Sequence, residues 1–127
     1  PALIEAGWAA VETGSVTRQI AADKAFHCFL HELSGNPLVG ETTAPYWHYL
    51  RRVMGEVLRD DDKMPASIWN EHAAILDAIV AGRSDEAEAL ARHHITRAAD
   101  IFVTRLKIQL EMASADQERR SLRRLVR

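Results

Sequence analysis

Gly14, Gly35 and Gly82 cut this chain into segments whose apolar residues recur at three- and four-residue steps. That spacing lines up side chains on one face of a helix. The two-residue alternation of a half-buried strand is scarce. The pattern implies an all-α fold, an antiparallel bundle of about five to six helices. With 127 residues, 47% of them apolar, the chain fits one domain (1–127) around one core.

The first helix is expected over Ala2 to Glu12, with Leu3, Ile4, Trp8 and Val11 as its apolar residues. Thr13-Gly14-Ser15 ends it. A second helix runs from about Val16 to Ser34 with Phe26, Phe29, Leu30 and Leu33 on its stripe. Asn36 is a helix-capping residue and Pro37 suits a first helical position, where its missing N–H costs nothing. The third helix is expected to reach Leu58, with a kink or short break at Pro45. Tyr46, Tyr49, Leu50, Val53, Met54 and Val57 form its apolar face. A loop is expected over Asp60 to Pro65. The fourth helix spans roughly Pro65 to Ala81, with Ile68, Ile75, Leu76, Ile79 and Val80 inward. Ser84 caps a fifth helix, and Asp85, Glu86 and Glu88 suit its positive N-terminal pole. It continues to about Met112 on a stripe of Ala87, Leu90, Ala91, Ile95, Ala98, Phe102 and Leu106. Ser114 to Arg127 is expected as a short sixth helix.

Asp23 and His27 are four residues apart on one helical face, so both can reach one ion. Arg83, in the last turn, is eleven residues after His72 and eleven before His94. In an antiparallel hairpin both histidines then stand about 16 Å from the turn, at 1.5 Å per residue. Inward-facing, they oppose each other. Asp23, His27, His72 and His94 together suit a divalent transition ion, zinc first, with nickel, iron or manganese as alternatives. Each has a bland reading as well. Asp23 and His27 alone are the spacing of a surface ion pair, His72 alone of a helix-surface residue, and His94 alone of a hydrogen-bonded core residue.

His31 shares the row of His27 and can line a cavity. Arg51 and Arg52 can fork onto a bound carboxylate, or simply be solvated. His93 is expected to face solvent, and His48 the surface or an interface. No catalytic residue is assigned: there is no His-Glu-x-x-His pair, phosphate loop or nucleophile elbow. Glu71 adjoins His72, but neighbours on a helix diverge by about 100°, which turns it away from the ion.

Formal net charge is −2, a poor match for nucleic acid. The basic run from Arg119 to Arg127 is read as a solvated helix end or frayed tail in preference to a polyanion contact. Cys28 is the single cysteine, which excludes an internal disulfide and favours a reducing, cytoplasmic setting. No apolar run has membrane-spanning length and no signal peptide is visible. The chain begins at Pro1 rather than methionine, as a fragment or processed product would.

Four motifs carry a family resemblance. Asp23-Lys24-Ala25-Phe26-His27 is followed by Ser34-Gly35-Asn36-Pro37-Leu38. Later come Trp69-Asn70-Glu71-His72-Ala73-Ala74-Ile75-Leu76-Asp77-Ala78-Ile79, then Gly82 and Ala87 through His94-Ile95. In this order they resemble the FCD domain, the C-terminal effector-binding domain of the FadR branch of GntR-type bacterial transcription regulators. The resemblance covers about Ala2 to Leu106. It implies a helical bundle around a central metal and effector cavity, with the metal on an Asp and three His at Asp23, His27, His72 and His94. It implies a small carboxylate effector that changes the DNA affinity of a homodimer. Arg51, Arg52, His31 and Asn36 are the residues expected to contact that effector. It also implies a winged helix-turn-helix and one further helix upstream, which this sequence does not contain, so DNA contact belongs to that part. Pro45 interrupts a helix that is often continuous in the family. The alternative reading is a metal-dependent hydrolase on a helical bundle.

Overall fold

A computed structural model of the chain describes residues 2–60 and 63–125. Asp61 and Asp62 of the expected loop, Val126 and Arg127 of the basic run, and Pro1 lie outside the described residues. Among those described there are six α-helices and no strand: α1 (Ala2–Glu12), α2 (Val16–Leu33), α3 (Pro37–Thr43), α4 (Trp47–Asp60), α5 (Met64–Val80) and α6 (Ser84–Leu125). A 3-10 turn, Ala44–Tyr46, separates α3 from α4. It contains Pro45, which lacks the N–H an α-helix would use.

Turn chemistry sets the helix boundaries. Gly14, Gly35 and Gly82 have φ of 63°, 67° and 71°, the left-handed conformation that follows a helix at low cost only in glycine. Ser15 accepts from the Arg18 amide to cap α2, and Asn36 accepts from the Leu38 amide to cap α3, with Pro37 inside the first turn.

The first of two compact units ends at His94. In it α1 packs on α2 and α5, and α2 on α3 and α4. Its core is Phe26, Trp69, Ile75 and Leu76, against which Leu3, Ile4, Trp8, Phe29, Leu30, Ile79, Leu90 and Ala91 pack. Trp69, absent from the expected stripe of its helix, is the largest fully buried side chain. It fits because α1 approaches through Gly7: a Cβ at that position would overlap the Trp69 ring. The apolar face expected on α4 is shifted along the helix. Met54, Val57 and Leu58 are buried, whereas Tyr46 and Tyr49 are exposed. Val80 is exposed too, in the last residue of α5.

The second unit, Ile95 onward, continues α6. The separate helix expected from Ser114 is not formed, because no glycine or proline follows Gly82 and nothing interrupts the hydrogen-bond ladder. Asp116 and Arg120 pair across one turn at 2.9 Å. Ile95 and Leu106, expected inward, are exposed, as are Val103, Ile108, Leu110, Met112 and Leu122.

Candidate metal centre

Three helices contribute to one buried polar cluster in the first unit. The four-residue step on α2 puts Asp23 and His27 on the same face, α5 contributes His72, and α6 contributes His94. His72 is wholly buried, Asp23 and His94 nearly so, and His27 half-buried.

The polar atoms face one another. His72 Nε2 is 3.2 Å from His94 Nε2 and 3.5 Å from Asp23 Oδ1. Asp23 Oδ1 is 3.8 Å from His27 Nε2. One ring nitrogen from each of His27, His72 and His94 lies within 4.8 Å of the others. Donors about 2.0–2.1 Å from a tetrahedral ion are separated by about 3.3 Å. The spacings of the three imidazoles therefore suit a shared ion, and Asp23 adds a carboxylate 3.5 Å from His72 and 3.8 Å from His27, a donor type that a borderline divalent ion also accepts.

Apolar rings hold the imidazoles in place. Phe26 stacks on His72 with centroids 4.1 Å apart, and Trp69 meets the same ring edge-on at 4.7 Å. Trp47 lies 5.9 Å from the His27 ring and carries the Lys24 ammonium 6.0 Å above its own.

This burial sets the protonation states. The Asp23 carboxyl is pushed up to about 7 by desolvation. Desolvation pulls His27 down to about 4, aided by the nearby His94 and His31. His72 is pulled further down by burial, then by His27 and His94. Near neutral pH His27 and His72 are therefore uncharged, each with a lone pair to give. A dication would reverse the balance at Asp23 by stabilising its carboxylate.

The residues expected to touch an effector are not part of this cluster. His31 Nδ1 is 3.3 Å from the Thr43 hydroxyl. It lines an open cleft of about 610 Å³ with Lys24, Cys28, Asn36, Thr43 and Trp47. Asn36 is exposed there, its side chain engaged in capping α3. Arg51 is exposed and lines a smaller cleft of about 400 Å³ with Lys24, Trp47 and His48. Arg52 is exposed on α4 and is not among the residues of either cleft. His93 and His48 face solvent.

Glu71, expected to turn away from the ion, has a partner that the expectation did not include. Its side chain does turn away from the centre of the cluster, yet Oε2 is 2.6 Å from His94 Nδ1. The same hairpin geometry that pairs His72 with His94 brings this contact about, since Glu71 stands one residue out of register with His94 across the turn.

The family model described as FCD domain matches residues 2–97. No curated protein and no solved structure matches the chain.

Proposed function

Because the chain belongs to the FCD domain family, the effector-binding domain of GntR-type transcription regulators, we propose that it senses a small organic acid beside a divalent metal ion. The observation that carries this reading is the grouping of His27, His72 and His94 with ring nitrogens within 4.8 Å of one another, with Asp23 3.5 Å from His72 and 3.8 Å from His27. These four residues would hold the ion, zinc by preference, with nickel or manganese as alternatives. A bound ion supplies a Lewis-acidic anchor for a ligand carboxylate.

The chain's own groups do the rest. Phe26 and Trp69 fix the His72 ring and exclude water from it. Trp47 lines both clefts and packs near His27, so a ligand in either cleft lies close to the buried cluster. Arg51 and Lys24 line one cleft and offer cationic partners to an anion; His31 and Asn36 line the other. Arg52 is the weakest of the four proposed effector contacts on this geometry. We read the ion as an anchor and not as a catalyst. Signalling follows if the acid binds one arrangement of a homodimer more tightly than another, since only differential affinity shifts an equilibrium. DNA contact then belongs to a winged helix-turn-helix in the full-length regulator, acting in the cytoplasm.

A thermal-shift panel of hydroxy acids, dicarboxylates and sugar acids on zinc-loaded protein tests this reading. A binding acid at a hundredfold excess over its Kd adds about 2.7 kcal/mol of stability. The melting temperature should rise on loaded protein and rise far less after chelation. No shift with any acid on loaded protein contradicts carboxylate sensing.

A further inference from the structure

Glu71 and His72 are neighbours in α5, so their side chains leave the helix about 100° apart. His72 turns toward Asp23 of α2, its Nε2 3.5 Å from Oδ1. Glu71 turns toward α6, where its Oε2 lies 2.6 Å from Nδ1 of His94. His94 is 5% exposed, so a proton on its ring needs a partner within the protein.

A neutral imidazole carries its proton on one nitrogen and a lone pair on the other. An ionised carboxylate has no proton to give and can only accept. Opposite an ionised Glu71, a neutral His94 therefore carries its N–H on Nδ1 and keeps its lone pair on Nε2. That Nε2 is the atom 3.2 Å from His72 Nε2, within the polar cluster. Were the proton on Nε2 instead, His94 would present an N–H to the cluster and could not ligate from it.

We propose that Glu71 is a positioning residue that sets the tautomer and ring orientation of His94, and thereby makes His94 a ligand. The inference rests on the metal reading above for its consequence, but the tautomer itself is a property of the metal-free protein. The same hydrogen bond raises the basicity of Nε2, because the carboxylate draws the Nδ1 proton toward itself. The Glu71-His72 dipeptide thus serves the centre twice, once by ligation and once by holding the opposite helix's ligand.

Two measurements on Glu71→Ala and Glu71→Gln test this. The first is the His94 tautomer in chelator-stripped protein, read from the ¹⁵N shifts of its ring. The wild type should show Nδ1–H; Glu71→Ala should lose that preference, since its Nε2–H can then donate to His72. The second is zinc affinity by chelator competition. Both variants should bind zinc about ten- to a hundredfold more weakly, Glu71→Gln because its acceptor is uncharged and Glu71→Ala because it has none. Glu71→Gln keeps the side-chain volume and guards against a folding defect in Glu71→Ala. Wild-type His94 protonated on Nε2, or zinc affinity unchanged in both variants, overturns the proposal. If the wild type binds no zinc but Glu71→Ala still shifts the tautomer, Glu71 keeps its positioning role and the metal reading alone fails.

Discussion

Two groups of side chains in the first unit differ sharply. Asp23, His27, His72 and His94 come from α2, α5 and α6, and their polar atoms are within 3.2–3.8 Å in neighbouring pairs. His31, Asn36, Arg51 and Arg52 come from α2 to α4 and stand in open clefts or in solvent. The first group is largely shielded from solvent. Desolvation pulls His27 and His72 down and pushes the Asp23 carboxyl up. In the second group Arg51 and Arg52 are solvated, Asn36 caps α3 and His31 meets the Thr43 hydroxyl. The difference is one of burial: the polar cluster is enclosed by the fold, whereas the residues expected to contact an effector stand in open clefts or in solvent.

The largest effect should separate the two groups directly. His72→Ala should weaken zinc binding by about two to three orders of magnitude, because the 10–16 kcal/mol of a structural site is shared among four ligands. His31→Ala, on the same α2 row as His27 but bonded to Thr43, should leave zinc affinity unchanged. Equal losses in the two variants, by chelator competition, would erase the distinction.

A smaller effect comes from protons. Unfolded histidines titrate near 6.5, but folded His27 titrates at about 4 and His72 lower still. From about pH 4 to 6.5 the unfolded chain binds two protons that the fold refuses. Asp23 opposes them: its folded value of about 7 exceeds the ordinary 3.8, so the fold keeps one proton the unfolded chain has lost. Two less one leaves a net single proton, at most about 1.4 kcal/mol per pH unit. Stability of chelator-stripped protein, from urea midpoints, should therefore rise with pH up to about 6.5. Above that, Asp23 alone contributes, and stability should slip slightly as pH passes through 7. A curve that falls from pH 4 to 6.5 would contradict these burial effects.

The smallest effects belong to the arginines. Arg51→Ala and Arg52→Ala should each change stability by no more than about 0.5 kcal/mol, as exposed positions do. With an acid that shifts the melting temperature in hand, Arg51→Ala should reduce that shift and Arg52→Ala should not. The reverse result would move the ligand to the other side of α4.

Much of the fold was legible because its signals are local. Asn36-Pro37 caps a helix, Pro45 breaks one, and glycine at 14, 35 and 82 ends three, all within a few residues of each decision. The nearness of His72 to His94 could be read from equal counts to one turn. What was not legible depends on partners distant in sequence. Trp69 is buried because Gly7, on another helix, leaves room for its ring. Tyr46, Tyr49 and Val80 carry apolar bulk, but they sit at helix ends where no neighbour covers them. Glu71 was dismissed by asking where it points relative to one ion, when its partner is the far nitrogen of His94. The short sixth helix expected over Ser114 to Arg127 is instead the end of α6, since no breaker separates the two.

The central claim is that Asp23, His27, His72 and His94 form one metal centre. Elemental analysis of zinc-loaded, dialysed protein tests it most directly, with Asp23→Ala and His94→Ala beside the wild type. One ion per wild-type chain, and well under one in each variant, is the result this account predicts. Full occupancy in both variants, or none in the wild type, would contradict it.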